Sequence, residues 1–478
     1  MRDLRRSPAL RAELPGLDGA FDEGGMRGRL QAALLADGGI ERCQRAQTMY
    51  APGAGCLVRY RIEVRQPDGG GVVPALVIGR LFAEPRSAHT YLESRLAPLA
   101  GGMDGRPEVA PFATPVAVLE PLAMAVSLFP IDGELPTLVG ATDPTAMLEI
   151  LGDALPDARG GSFTPTGCHV DRGHYGREHR CVLRYIVHGR GPAGEEAAPV
   201  TVYGKVAADR RGAVTAAAVP QLRARLLGGG APPFTVPRTF GFIEPLQLTL
   251  LEAIPGRPRI AELLKDRASS GPWGDGAALA GSIDTAARVA ARLHGSGISL
   301  VPSRRIEDEL NELGQALAAL QRVTPGLATE FERWLAATSD CAATSDSQQA
   351  CFSHGDFTHS QLIFSGERCG LVDFDTVCRA EPALDLGQFL AYLRMSACKE
   401  GISGWPDGRE ATERLCARFL DAYATERGTG PGDRDALRAR VRVYEMVSLL
   451  RLAFHSWQKF KTARLELALS LIRERGLA

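Results

Sequence analysis

The sequence lacks several features that would place it in a function class at once. Its 55 Lys+Arg against 56 Asp+Glu give a net charge of −1, so it lacks the basic excess of nucleic-acid-binding proteins. Its most apolar stretch, 115–131, is short and is interrupted by Glu120, Pro121 and Pro130, so it does not read as a membrane span. We therefore expect neither nucleic acid nor a membrane as a partner.

The ten cysteines include no CxxC pair and no tight Cys/His spacing, which excludes the usual structural zinc sites. Residues 1–19 carry scattered charges and no continuous apolar region, so a signal peptide is not expected. These absences favour a cytoplasmic protein with reduced, mostly buried thiols. The length of 478 residues, with 53 Gly and 31 Pro, indicates a globular chain of two to four domains.

An internal repeat runs through the N-terminal half. Shifting the sequence by 125 residues places segment 43–84 on segment 168–209 without a gap. Twelve of the 42 aligned positions are identical, where chance would give about three. The identical pairs are Cys43/Cys168, Tyr50/Tyr175, Cys56/Cys181, Arg59/Arg184, Tyr60/Tyr185, Arg65/Arg190, Pro67/Pro192, Gly69/Gly194, Pro74/Pro199, Val77/Val202, Gly79/Gly204 and Ala83/Ala208.

Each copy predicts the same small α+β unit built on an antiparallel sheet. A short helix (24–35 and 143–154) precedes three strands, a further helix and two more strands. We predict a first copy at 1–140, a second copy at 141–254 and a helical region at 255–478. In that last region the polar tract 338–349 predicts a loop, followed by short strands near 351–354, 361–364 and 370–374.

The stretch CFSHGDFTHSQLIFSGERCGLVDFD, residues 351–375, carries the most chemistry. It places Asp356 after His354-Gly355, an amide at Gln361 and a second acid at Asp373. Phosphoryl transfer explains this combination, because a carboxylate can accept or orient the proton of an acceptor hydroxyl. An amide oxygen and another carboxylate can ligate Mg²⁺ that bridges nucleotide phosphates.

This segment resembles the HGDxxxxN…DF(D/E) core of the aminoglycoside phosphotransferase and choline kinase group, relatives of the eukaryotic protein kinases. The resemblance covers about 141–478 and extends to four further segments in the same order. They are VYGK with Lys205, LTLLEAIPGRP (248–258), AARLHGSG (290–297) and AEPALDLGQFLAYL (380–393). It implies a bilobal protein-kinase-like fold, with an antiparallel-sheet N-lobe and a mostly helical C-lobe, preceded by a duplicated N-lobe-like domain.

The resemblance also implies roles for single residues. Asp356 is similar to the catalytic aspartate, and the metal ligands would be Gln361, Asp373 and Asp375. Lys205 resembles the lysine that grips the α- and β-phosphates of ATP. The backbone of Leu251, Glu252 and Ala253 would meet adenine, and the loop 173–177, with Tyr175 and Gly176, would cover the phosphates.

Three positions depart from the family pattern. Gln361 stands where most members have Asn, as in the sugar-phosphorylating maltokinases. The helix predicted at 211–226 has no Glu to pair with Lys205, and Gln221 lies near the expected position. The loop 173–177 does not have the GxGxxG sequence pattern. The first copy carries Arg80 where the second has Lys205, and a guanidinium lacks the point-donor geometry of lysine, so we predict that copy to be non-catalytic.

Several roles stay open at this stage. Asp375 could ligate a second metal or brace its loop, and Glu252 could cap the hinge or line an acceptor pocket. We expect Asp385 and His354 to support the catalytic loop, and we assign no role to His359. The first copy would cap the active cleft or form a homodimer interface.

The sequence thus predicts an ATP- and Mg²⁺-dependent phosphotransferase that moves the γ-phosphate to a hydroxyl of an aminoglycoside, a sugar or a related metabolite. The alternative is a catalytically impaired pseudokinase that acts as a nucleotide-binding or regulatory module. The missing glutamate and the unusual Gln361 motivate this alternative.

Overall fold

Two five-stranded sheets with the same strand order dominate the N-terminal half of the computed structural model, which describes residues 7–66, 71–176, 179–228, 234–270, 276–401 and 408–476. The first sheet, in the order β1-β2-β3-β5-β4, comprises β1 (Gly39–Ala51), β2 (Gly55–Arg65), β3 (Val72–Leu81), β4 (Val116–Leu119) and β5 (Met124–Leu128). The second, in the order β6-β7-β8-β10-β9, comprises β6 (Thr164–Arg172), β7 (Arg180–Arg190), β8 (Val200–Ala207), β9 (Thr239–Ile243) and β10 (Leu248–Glu252). All pairings of the first sheet are antiparallel, as are β6–β7 and β7–β8. The predicted α+β fold class is confirmed.

The α-helices up to residue 228 are α1 (Pro8–Glu13), α2 (Leu17–Phe21), α3 (Glu23–Leu34), α4 (Pro85–Tyr91), α5 (Ala97–Ala100), α6 (Leu138–Ala141), α7 (Pro144–Ala154), α8 (Pro156–Arg159) and α9 (Arg211–Leu227). Among them, α3, α7 and α9 confirm the helices predicted at 24–35, 143–154 and 211–226, and α4 follows the third strand of the first copy as predicted. An aspartate caps the N-terminus of the helix before each sheet: Asp22 accepts from Gly25 N at 3.1 Å, and Asp143 accepts from Thr145 N at 2.9 Å. Such caps stabilise a helix by satisfying backbone donors that its first turn leaves unpaired.

The two sheets repeat a tertiary contact as well as a strand order. The buried Tyr60 hydroxyl donates to the carbonyl of Ala20 at 2.7 Å, and the buried Tyr185 hydroxyl donates to Ala141 at 2.8 Å. A buried phenol needs such an acceptor because its hydroxyl has left water. Each contact ties the second strand of a sheet to the helical segment that precedes it.

One hydrophobic core serves both copies. Leu57, Leu76 and Ile78 of the first sheet belong to the same buried cluster as Leu183 and Tyr185 of the second. Burial of apolar side chains is the main favourable term in folding, at about 25 cal/mol per Å². The two sheets therefore stabilise each other.

The C-terminal part is mostly helical. It contains α10 (Arg259–Ser270), α11 (Gly276–His294), α12 (Ile306–Val323), α13 (Pro325–Thr344), α14 (Pro382–Lys399), α15 (Gly408–Glu426), α16 (Pro431–Gln458) and α17 (Thr462–Arg475). Two short antiparallel strand pairs interrupt the helices: β11 (Cys351–Ser353) with β14 (Cys378–Ala380), and the hairpin of β12 (Leu362–Ser365) with β13 (Arg368–Leu371). Helix α14 is buried on nearly all sides, which is typical of a helix with apolar residues around its whole circumference.

The prediction of a loop at 338–349 is wrong for its first seven residues, 338–344. Helix α13 continues to Thr344. The small polar side chains of this stretch bond back into the helix: Thr338 donates to the carbonyl of Trp334 at 2.6 Å, and Thr344 donates to that of Asp340 at 3.0 Å. Local bonds of this kind satisfy hydroxyls that otherwise favour turns.

The chain divides into two compact units. The sheet unit comprises Met1–Gly212, Phe240–Leu250 and Trp457–Lys461, and the helical unit comprises Ala213–Thr239, Leu251–Ser456 and Thr462–Ala478. Both copies of the repeat thus belong mainly to one unit. The limits 1–140 and 141–254 remain our proposal for the copies, supported by the position of each sheet within one of these segments. Among the described residues, no helix combines the length and apolar character needed to cross a membrane.

Candidate active site

The loop after β11 is held in one conformation by its glycine and by a buried carboxylate. Gly355 has φ +75°, and a Cβ there would lie 2.1 Å from the carbonyl oxygen of Thr376, so only glycine fits. Asp385, at the start of α14, accepts from the backbone N–H of His354 at 2.7 Å and of Gly355 at 2.8 Å. The expected supporting role of Asp385 is confirmed.

A second histidine completes the support of Asp385. The ring of His294 contacts Asp385 Oδ2 through Nε2 at 3.0 Å and the Tyr423 hydroxyl through Nδ1 at 2.9 Å. Burial raises the pKa of Asp385, but the hydrogen bond from His294 and the nearby histidines overcome that effect and lower it. Asp385 is therefore an anion that fixes the loop bearing Asp356, and the AARLHGSG segment supplies one of its partners, His294.

Asp356 follows this anchored turn and is half-buried. The side-chain amide of Gln388 donates to Asp356 Oδ1 at 2.6 Å. Gln388 lies three residues after Asp385 on α14, so both side chains share one helix face. Gln388 lies in the segment AEPALDLGQFLAYL but was not predicted as a site residue. The only available signal was its spacing from Asp385.

Gln361 and Asp373 are brought together although twelve residues separate them. Strands β12 and β13 pair in the register Leu362–Leu371, which places the residues just outside the hairpin side by side. The amide of Gln361 donates to Asp373 Oδ2 at 3.1 Å. Asp373 has φ 70° and ψ 51°, a left-handed conformation that is unusual for a residue other than glycine and frequent at functional sites.

These side chains suit a hard cation held jointly with a ligand. The amide and carboxylate oxygens of Gln361, Asp373 and the half-buried Asp375 are the ligand types that Mg²⁺ prefers. Within the described ranges, no group of three or more His, Cys, Asp or Glu side chains forms a complete metal site. Mg²⁺ usually binds through one or two carboxylates plus substrate phosphates, so this donor set fits that ion.

The two histidines of the loop are structural. His354 is buried, its Nε2 lies 3.0 Å from the carbonyl of Val372, and its ring centroid lies 5.0 Å from that of Phe374. His359 is buried with Nε2 at 2.7 Å from Ser396 Oγ. Burial lowers the pKa of His359 to about 4, so it is neutral at neutral pH.

Glu252 is engaged at the predicted hinge. Its carboxylate accepts from the N–H of Arg238 at 2.8 Å, and its own N–H donates to the carbonyl of Arg238 at 2.8 Å. Arg223 Nη1 lies 3.5 Å from Glu252 Oε2. This geometry matches the capping alternative for Glu252. Leu251 is buried and Ala253 is half-buried beside it.

Lys205 lies in the sheet unit, on β8 opposite Val182 of β7. Its neighbours Gly204 and Val206 are buried, whereas Lys205 is half-buried and Tyr203 is exposed. Since side chains alternate along a strand, Lys205 lies on the sheet face that Val206 does not share. Gln221, named as a substitute for the missing glutamate, donates its amide to the carbonyl of Ala217 in its own helix at 3.0 Å.

Tyr175 and Gly176 also lie in the sheet unit, and their loop packs on the first copy. The Tyr175 ring is buried, and its hydroxyl donates to Asp132. Any phosphate contact by this loop would therefore use backbone N–H groups, not the phenol. Arg177, the last residue of the predicted loop, lies outside the described residues.

Comparison with known proteins gives the following results. A model of the phosphotransferase enzyme family matches residues 205–444. Similar solved structures include a glucosamine kinase (14% identity, TM-score 0.43, 91% of this chain and 92% of that one) and a choline/ethanolamine kinase family protein from Mesorhizobium loti (15%, 0.43, 70% and 97%). An aminoglycoside phosphotransferase from Streptomyces rimosus is also similar (19%, 0.31, 63% and 98%). None of the curated proteins compared matches the sequence significantly.

Proposed function

The chain belongs to the phosphotransferase enzyme family, and we propose that it uses Mg²⁺ and ATP to phosphorylate a hydroxyl group of a small molecule. The observation that carries this proposal is the contact between Gln361 and Asp373 at the base of the loop that bears Asp356. The acceptor classes that suit it are aminoglycosides, sugars and related hydroxylated metabolites.

Each candidate site residue of the helical unit would have its own task in this reaction. Asp356 would accept or orient the proton of the acceptor hydroxyl, while Gln388 fixes one of its carboxylate oxygens. Gln361, Asp373 and Asp375 would hold Mg²⁺, which neutralises charge on the nucleotide phosphates when bound. Because the Gln361 amide now donates to Asp373, it would turn its oxygen toward the cation.

The sheet unit would bind the nucleotide. Lys205 would contact the α- and β-phosphates, and backbone N–H groups of the Tyr175–Gly176 loop would cover them. In the helical unit, the backbone of Leu251, Glu252 and Ala253 would meet the base. The half-buried position of Lys205 on β8 supports its assignment.

Phosphate transfer to a panel of sugars, aminoglycosides and amino alcohols tests this function, with Mg·ATP and Mg·GTP as donors. Asp356→Asn should lower kcat at least 100-fold because the amide cannot accept the proton, while the Kd for Mg·ATP stays within about twofold. The exposed Asp346, which precedes β11 in sequence, offers the matched control Asp346→Asn, which should leave both values unchanged.

The pseudokinase alternative rests on helix α9, which contains no Asp or Glu. It predicts thermal stabilisation by ATP that does not depend on Mg²⁺, together with an absence of transfer to every acceptor. Stabilisation that requires Mg²⁺, together with turnover lost in Asp356→Asn, would exclude it.

A further inference from the structure

We propose that Arg59 and Asp132 of the first copy are positioning residues for the Tyr175–Gly176 loop of the second copy, so that the duplicated domain sets the affinity of the enzyme for nucleotide. The inference rests on the proposed function only for the task of that loop. The contacts themselves lie wholly within the sheet unit.

Arg59 makes the central contact. It lies on β2, is 2% exposed, and places its guanidinium carbon 3.5 Å from the centroid of the Tyr175 ring. Its Nη1 donates to the carbonyl oxygen of Tyr175 at 2.9 Å and to Gln47 Oε1 at 2.9 Å. Arg59 thus holds both the ring and the backbone of Tyr175, which fixes the direction in which the peptide points.

Two further side chains of the first copy hold the same loop. The amide of Gln47 donates to the carbonyl of Gly176. Asp132 is buried and accepts from the Tyr175 hydroxyl, while its other oxygen accepts from the N–H of Glu134 at 2.8 Å. Both carbonyls therefore bond to side chains of the first copy. The N–H and C=O of one trans peptide point in opposite directions, so the N–H of Gly176 points away from Arg59, where in our proposal it serves a phosphate oxygen.

This contact places the buried carboxyl group of Asp132 close to two arginine side chains, Arg59 and Arg80. Burial raises the pKa of Asp132 above its usual value, and the hydrogen bonds from Tyr175 and the Glu134 N–H, together with the nearby Arg59 and Arg80, oppose this rise only in part. A buried carboxylate that accepts hydrogen bonds and lies near a buried guanidinium depends on each partner, because removing one leaves a polar group without compensation.

The residues equivalent to Arg59 and Tyr175 in the other copy make different contacts, so the fold of the sheet does not require the contact between Arg59 and Tyr175. Arg184, the repeat equivalent of Arg59, lies at the surface and pairs with Asp171 through Nε at 3.1 Å. The hydroxyl of Tyr50, the equivalent of Tyr175, donates to Glu13 Oε2 at 2.8 Å. The Tyr50 ring packs against Trp457, with 5.5 Å between the ring centroids. Identical residues at equivalent positions therefore make different contacts, and of the two arginines only Arg59 contacts the Tyr175–Gly176 loop in the described structure.

The test compares equivalent substitutions in the full-length chain. Tyr175→Phe removes the hydroxyl that Asp132 accepts from, and Arg59→Lys removes the planar contact while keeping the charge. Tyr50→Phe and Arg184→Lys are their matched controls, since each removes a comparable contact elsewhere. We would measure amide hydrogen exchange of residues 171–176 without nucleotide, and KM for Mg·ATP and kcat with any acceptor that is turned over.

We expect exchange of this loop to become about tenfold faster in Tyr175→Phe and in Arg59→Lys, with KM for Mg·ATP raised by about the same factor and kcat within about twofold. The two controls should change neither quantity. Asp132→Asn, which keeps an oxygen acceptor, should stay within about threefold of the unsubstituted enzyme.

Unchanged loop exchange in both test variants would overturn the proposal, as would faster exchange with unchanged KM. If Tyr175→Phe does not fold, Arg59→Lys carries the comparison alone. A chain that transfers no phosphate would refute the proposed function, whereas the exchange measurement would still decide whether the first copy holds the loop.

Discussion

The second strands of the two sheets, β2 and β7, are identical at four aligned positions, yet their surroundings differ. In β2, all residues from Gly55 to Tyr60 are buried, so both faces of the strand are covered. In β7, buried and less buried positions alternate, which is typical of a sheet with one face on the core. The face that β7 leaves partly exposed is thus covered in β2 over these six residues.

The cationic position of each third strand shows the same difference. Arg80 is 8% exposed, and its Nη2 lies 3.5 Å from Glu134 Oε1. Its guanidinium carbon lies 5.4 Å from the centroid of the Tyr91 ring. Its equivalent Lys205 is half-buried on β8. Arg80 therefore forms an ion pair within the first copy, and the equivalent cations of the two sheets have different surroundings although the strand order is the same.

The largest effect should come from exchanging these two cations for methionine. Lys205→Met should lower kcat/KM about 100-fold, because it removes a charge that would bind phosphate, and should change the free energy of unfolding by less than about 1 kcal/mol. Arg80→Met should lower stability by about 1–3 kcal/mol and leave kcat/KM within about tenfold. Initial rates and chemical denaturation measure both. Equal losses of activity would contradict the division of tasks.

A smaller difference should follow when the equivalent glycines become alanine. A Cβ at Gly204 would lie 2.4 Å from Tyr185 Cε2, and Tyr185 is fixed by its bond to Ala141. A Cβ at Gly79 would lie 2.0 Å from the terminal methyl of Met124, a flexible side chain. Gly204→Ala should therefore cost about 1–3 kcal/mol and Gly79→Ala less.

Calorimetric melting of the two variants measures this difference. A larger loss in Gly79→Ala would show that the first sheet, not the second, is the more tightly packed of the two.

The smallest effect concerns the equivalent thiols Cys43 and Cys168, where the copies should behave alike. Burial raises the pKa of both thiols to about 11. Because the thiolate is the reactive form, alkylation of each should rise about tenfold per pH unit from pH 8 to pH 10. Mass spectrometry of iodoacetamide-treated protein measures the two rates. A plateau above pH 9 at either cysteine would contradict the shared environment.

The repeat and the catalytic motif were accessible from the sequence because both are local patterns of residue types. The strands predicted near 351–354 and 361–364 are confirmed as β11 and β12. The strand predicted near 370–374 is displaced: β13 covers Arg368–Leu371 and ends before Asp373, and its hairpin with β12 explains why Gln361 and Asp373 meet. Strand periodicity and turn residues were sufficient for these elements.

Other features depend on tertiary packing and left no local signal. The contact of Gln388 with Asp356 requires α14 to pack beside the catalytic loop. The burial of Arg59 could not be inferred, because its repeat equivalent Arg184 is identical and exposed. The helix through Thr338 was missed because small polar residues favour turns unless their hydroxyls bond back to the helix.

The single core shared by the two sheets has an evolutionary consequence. Once Leu57, Leu76 and Ile78 had become neighbours of Leu183 and Tyr185, loss of either copy would expose the apolar surface of the other. A duplicated sheet that shares its core in this way is costly to lose, so burial alone is sufficient to retain it, with no gain of activity required.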